Sequence, residues 1–154
     1  MSMNEILDAV REFAGVLELA PTAGSNAPSL AWGDHFFYYA PDGELPSGQP
    51  YATVVTKNYP DDDSSDLDGP DRWRVNVHVG RGRLTALLGY GPREIPPGVD
   101  YAEADVLLPH PVYASLGWLA VVTPGNATLP TVLDLLREAH DDARRRATRH
   151  RPGS

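Results

Sequence analysis

Residues 72–79 read RWRVNVHV, an unbroken alternation of polar and apolar side chains. Successive side chains of a strand point to opposite faces. Trp73, Val75, Val77 and Val79 therefore share one face, and Arg72, Arg74, Asn76 and His78 the other. A helix would scatter both sets around its axis. The segment has to be a strand, and its apolar face has to lie against a core. The opposite face sets a guanidinium, an amide and an imidazole in a row, about 7 Å apart. Such a row can hold an anionic or carbonyl-bearing ligand, with His78 as acid or base near neutral pH. The alternative is the solvated outer face of a half-covered antiparallel sheet.

The rest of the chain supplies partners for that strand. Ile6, Leu7, Val10, Phe13 and Ala14 fall at helical spacing over residues 4–14, with Gly15 as a stop. VLEL (16–19) reads as a short strand. Strands near 30–33, 35–40 and 51–57 form an antiparallel meander around the turn-rich PDGELPSGQP. GRGRLTALLG is a short helix, and residues 90–104 are an irregular loop rich in proline and glycine. ADVLLPHP approaches a buried strand at 117–125. A last helix begins near Thr128, with Leu129, Val132, Leu133, Leu136, Ala139, His140 and Ala143 on its inner stripe. This order gives an α+β fold: one domain, residues 1–145, with helices from both ends packed on an antiparallel sheet. Residues 146–154 read as a basic, disordered tail.

Charge and composition exclude several classes. The chain holds no cysteine, so disulfides, thiolate nucleophiles and cysteine-held metals are ruled out. Its net charge is −8. Five of the 13 basic residues lie in RRRATRHRPGS at the C-terminal end, leaving a strongly acidic body that repels nucleic acid. No apolar run reaches the roughly 20 residues that cross a bilayer. No membrane partner is expected, and a cytoplasmic protein is. GxGxxG, P-loop, HExxH and GxSxG patterns are absent. Neither a cofactor nor a metal is expected. The acidic run YPDDDSSDLDGPD (59–71) lacks the spacing of a calcium loop and reads as a solvated loop.

Two further stretches carry chemistry. In LPHPVYASLGWLAVV (108–122), prolines flank His110 and leave its backbone little freedom. A ring fixed this way is preorganised for binding or catalysis, with Tyr113 and Trp118 as pocket walls. It also suits a rigid crossing loop with a structural histidine. In WGDHFFYYAPDG, Phe36 and Tyr38 share a face with Asp34, and Phe37 and Tyr39 share one with His35. One pair belongs to the core and the other can line a cleft, which Lys57 and Tyr59 would meet from the next strand.

WGDHFFYYAPDG, PYATVVTKNYP, RVNV and HPVYASLGWLAVVTPG followed by LLREAHDDA together resemble an actinobacterial family of small proteins of unassigned function, with HPVYASLGW its most specific part. The family implies no activity. The layout also resembles the MmcQ/YjbR group: a first helix, a meander, a strand and short helix, a histidine–tryptophan segment (His110 to Trp118), and a closing helix. That likeness implies the α+β architecture. The acidic body, and the lack of a lysine between His110 and Trp118, argue against DNA binding.

The expected function is binding of a small-molecule ligand, with or without cofactor-free acid–base turnover such as isomerisation, cyclisation, dehydration or hydrolysis. His110 and His78 are the candidate proton shuttles. Arg74, Asn76 and Lys57 are the polar ligand contacts, and Tyr38, Tyr113 and Trp118 the walls. Whether the chain is an enzyme, and whether it forms a homo-oligomer, is left open. The competing reading is a non-catalytic protein-interaction module, steered by the acidic body and basic tail.

Overall fold

The structure, a computed structural model, describes residues 2–23, 31–69 and 71–149. Along the chain run α1 (Ser2–Arg11), β1 (Val16–Leu19), β2 (His35–Tyr39), β3 (Ala52–Val55), β4 (Arg74–His78), α2 (Arg81–Leu88), β5 (Leu108–Pro109), β6 (Trp118–Val122) and α3 (Leu129–Arg149). The strands form a six-stranded sheet in the order β1-β2-β3-β4-β6-β5, with every neighbouring pair antiparallel. The fold is α+β, with helices from both ends of the chain.

The alternation in β4 separates two faces. On one, Phe37, Ala52, Val54, Val75, Val77, Leu119 and Val121 are buried beneath α1 and α3. The helices answer with Ile6, Leu7 and Val10 from α1 and Val132, Leu135, Leu136 and Ala139 from α3. Burial of each valine, leucine, isoleucine or phenylalanine among them contributes roughly 1.5–3 kcal/mol, which keeps strands of four or five residues in place. One polar pair interrupts this layer. The Tyr51 hydroxyl lies 3.0 Å from His140 Nδ1, and His140 Nε2 lies 2.8 Å from the Ala14 carbonyl oxygen. A carbonyl only accepts, so Nε2 carries the proton and Nδ1 accepts from Tyr51.

Several sequence expectations shift. The strand expected near 30–33 is not formed at its described positions. Ala31 to Gly33 make a turn, in which Gly33 has φ 86 and donates to the Pro21 carbonyl at 3.0 Å. A positive φ of that size suits glycine and ends any strand. β5 shrinks to two residues, because the prolines at positions 109 and 111 have no N–H to continue a ladder. The last helix buries Leu135 as well as the expected stripe, so its inner face is wider. It also runs through Arg149, past residue 145; the remainder of the basic tail expected at 146–154 lies outside the described residues.

The N-terminus of α3 is capped from outside its own sequence. Asp105 Oδ1 accepts from the backbone N–H of Gly125 (2.7 Å) and Thr128 (3.0 Å) and from the Thr128 hydroxyl (2.6 Å). Asp105 Oδ2 accepts from Ala127 N–H at 3.1 Å. These bonds, led by the Thr128 hydroxyl, hold the carboxyl below the usual carboxylate range. Asp105→Ala should cost about 1–2 kcal/mol, the loss typical of a helix cap. Urea unfolding of the two proteins checks it, and equal midpoints would refute the cap.

Candidate functional site

The second face of the sheet is where the fold departs from a simple sandwich. Cross-strand register places Phe36, Thr53, Asn76, Ala120 and Leu108 in one row, and Val55, Arg74 and Val122 in the next. Arg74 and Asn76 are each only 2% exposed, so the solvated outer face considered for this strand is not what forms. A guanidinium removed from water must be paired and hydrogen-bonded, or the desolvation cost stands unopposed. Arg74 meets that demand from the loop before it. Nη1 donates to Asp62 Oδ1 at 2.9 Å and to Ser65 Oγ at 3.0 Å, Nη2 to Asp62 Oδ2, and Nε to Asn76 Oδ1 at 2.7 Å. Asn76 Nδ2 then donates to Thr53 Oγ1 at 2.9 Å.

The acidic stretch is therefore built into the site rather than solvated throughout. Asp62 forms a bidentate ion pair with a buried arginine, Ser65 is buried, and Leu67 is 1% exposed. Arg72 ties the same loop down, donating to the carbonyls of Asp66 (2.6 Å), Ser65 (2.8 Å) and Ala102 (2.7 Å). The sequence reading missed Asp62. Its signal was present, since an arginine on an alternating strand, preceded by a run of carboxylates, has its counter-charge close at hand.

The opposite wall is the segment from His110 to Trp118. His110 N–H donates to the Trp118 carbonyl at 3.1 Å, closing the loop onto β6. The ring then folds back over its own chain. Its Nδ1 accepts from the backbone N–H groups of Val112 and Tyr113, each at 3.0 Å, just ahead of the 3-10 turn Ala114–Leu116. With Nδ1 taken up as an acceptor, the neutral ring carries its proton on Nε2. Gly117 ends the turn at φ 89. A Cβ there would come within 2.7 Å of Gly80 Cα, so only glycine lets the loop lie this close to the end of β4.

Between these walls lies a cleft of about 520 Å³. Phe36, Tyr38, Tyr113 and Trp118 supply apolar surface, and Arg74, Asn76, Thr53, His110 and Asp61 supply polar atoms. Of the residues singled out in the sequence, His110, Arg74, Asn76, Tyr38, Tyr113 and Trp118 come together here. His78 and Lys57 do not. His78 turns its Nε2 to the Leu116 carbonyl at 3.0 Å and stacks edge-on to Trp118. Lys57 Nζ donates to Asp34 Oδ1 at 3.1 Å. Asp34 is fully buried and also accepts from the Thr56 N–H and hydroxyl, each at 2.8 Å, and from the Tyr59 hydroxyl, which places the Tyr59 ring at the cleft's edge. Phe37 goes to the core and Phe36 to the cleft, which settles the face of β2. Among the described residues no group of three or more His, Asp or Glu side chains is placed to hold a metal ion.

The electrostatics follow from burial. Desolvation first, then the Arg74 charge, pushes the His110 imidazole down to about 3, against the opposing pull of Asp62. Burial also lowers His78 and His140. Burial alone would raise the Asp62 carboxyl, yet the Arg74 hydrogen bonds and charge hold it below the usual range. A histidine kept neutral in the folded chain takes up a proton on unfolding once the pH falls below about 6.5. The unfolded state then binds more protons, so stability is full above that pH and declines as the pH falls toward His110's folded value. The melting temperature should drop by roughly 5 °C between about pH 7 and about pH 5. A constant value across that range would refute the neutral burial of these rings.

No curated protein and no solved structure matches this chain significantly. Among the described residues no helix is long and apolar enough to cross a membrane. A family model does match, over residues 1–152, and the chain belongs to that family, described as a family of unknown function (DUF6194).

Proposed function

We propose that this protein binds a small molecule in the cleft between β4, the acidic loop and the His110–Trp118 segment. One observation carries the reading. A buried polar cluster, Asp62–Arg74–His110, forms one side of a concave site walled by Phe36, Tyr38 and Trp118. Sites for small ligands combine an apolar lining with a few fixed polar groups in this way. Burying three ionisable side chains is costly unless they are paired, and here the paired cluster stands beside an open aromatic wall.

The chemistry of the cluster narrows the role of each residue. His110 serves as an N–H donor and not as a base, since its Nδ1 is committed to the Val112 and Tyr113 N–H groups and its Nε2 is protonated. Cofactor-free turnover in this cleft would therefore use the imidazole as a neutral hydrogen-bond donor to a developing oxyanion. The positive charge of Arg74 is matched by Asp62, so Arg74 offers the cleft N–H groups without net charge. Asn76 and Thr53 orient the polar floor.

A second reading, a protein-interaction module, is favoured by exposed apolar side chains near the cleft: Val112 at 38%, Tyr113 at 46% and Leu116 at 61% exposure. The two readings differ in what they require of Tyr38, a half-buried wall residue.

A thermal-shift screen against a broad metabolite panel tests the proposal, with wild type and Tyr38→Ala side by side. A ligand at about 100 times its Kd stabilises the native state by about 2.7 kcal/mol, a rise of several degrees for a chain of this size. Expected are compounds that raise the wild-type melting temperature and lose that effect in Tyr38→Ala. No shift from any compound, or shifts equal in both proteins, would overturn the small-molecule reading.

A further inference from the structure

Two donors in the buried cluster face each other with no acceptor between them. His110 Nε2 lies 3.3 Å from Arg74 Nη2. The tautomer fixed by the Val112 and Tyr113 N–H groups puts a proton on Nε2, so this contact joins two N–H donors and is not a hydrogen bond. One N–H of Nη2 goes to Asp62 Oδ2. The nearest charged oxygen to His110 Nε2 is the same Asp62 Oδ2, at 3.8 Å, beyond hydrogen-bond reach. His110 and Arg74 are 4% and 2% exposed, and both line the cleft. Buried donors of this kind are normally satisfied, and here the cleft is the direction from which an acceptor can arrive.

We infer that His110 Nε2–H and the second Nη2–H of Arg74 form a clamp for one uncharged carbonyl oxygen, and that the ligand is a neutral, planar, carbonyl-bearing aromatic molecule of the aryl amide or lactam class. The inference rests on the cleft being a small-molecule site. Three features select the class. Two N–H donors whose nitrogens lie 3.3 Å apart can share the two lone pairs of a single carbonyl oxygen. A ligand carboxylate at that point would sit beside the Asp62 carboxylate, with Asp61 also on the lining, and like charges in a partly desolvated site repel. A ligand ammonium would face donors where it needs acceptors. Phe36, Tyr38, Tyr113 and Trp118 then offer ring faces and edges to a flat apolar body.

Three matched probes separate these possibilities: 2-naphthamide, 2-naphthoate and 2-naphthylmethylammonium. Each is titrated into the full chain and followed by 1H–15N NMR. The N–H groups of Val112 and Tyr113 report directly, since they donate to the other nitrogen of the His110 ring. The amide should shift both signals and bind at least about tenfold more tightly than either charged probe. His110→Asn supplies the variant. Its side-chain oxygen can keep the acceptor role of Nδ1 toward the turn while the Nε2–H is lost, and affinity for the amide should fall about tenfold. If a charged probe binds the cleft as tightly as the amide, or His110→Asn binds the amide as well as wild type, the clamp is wrong and the cleft stands. If no probe shifts the cleft residues, the aryl-carbonyl assignment fails, and the metabolite panel alone decides whether the cleft takes a small molecule. The ranking on wild type decides the matter even if His110→Asn does not fold.

Discussion

The architecture turns on a guanidinium placed where a sheet normally carries an apolar or wet side chain. Arg74 sits in β4, in register with Val55 of β3 and Val122 of β6, and its head is out of water. Nothing on the sheet itself can neutralise it. The compensating charge has to be delivered by a loop, and Asp62 delivers it. That single requirement explains why an acid-rich segment folds at all. Ser65, Asn76 and Thr53 complete the donor accounting, and Arg72 fastens the loop's backbone from outside. Removing either partner of such a pair leaves a buried charge and typically costs about 3–5 kcal/mol, so loop and sheet stand or fall together.

Three histidines, His140, His78 and His110, show how one side chain is used in three ways. His140 bridges α3 to Tyr51 and to the Ala14 carbonyl in the turn after α1 through both ring nitrogens. His78 pins the turn at Leu116. His110 fixes the approach to that same turn and turns its other nitrogen toward Arg74. In each case the partner is a backbone group or a hydroxyl, so each ring is held in one tautomer. The cleft consequently contains imidazole as a rigid dipole, not as a titrating group at neutral pH.

How much of this was legible beforehand follows from the range of the forces involved. The alternation in β4, the stripe on α3 and the rigid backbone at His110 are local patterns, and the elements they imply are present. The burial of Arg74 and Asn76 was not readable, because it depends on what covers the sheet, and the cover comes from residues 59–68 and 110–117. Thr53 could be placed opposite Asn76 only once the register of β3 on β4 was known. His78 shares a strand face with Arg74 and so looked like a site residue. The bend at Gly117 brings the Leu116 carbonyl to it instead. Lys57 was drawn aside by Asp34, a buried carboxylate whose partners lie more than 20 residues away.

The two faces of the sheet are held by separate means. One is an apolar layer closed by helices; the other is shaped by connecting segments fastened through ion pairs, carbonyls and a close glycine contact. Substitutions at Phe36, Tyr38, Tyr113 or Leu116 leave the helical layer untouched, whereas substitutions at Val75 or Leu135 do not. The lining of the cleft can thus change while the Asp62–Arg74 anchor and the apolar layer stay as they are.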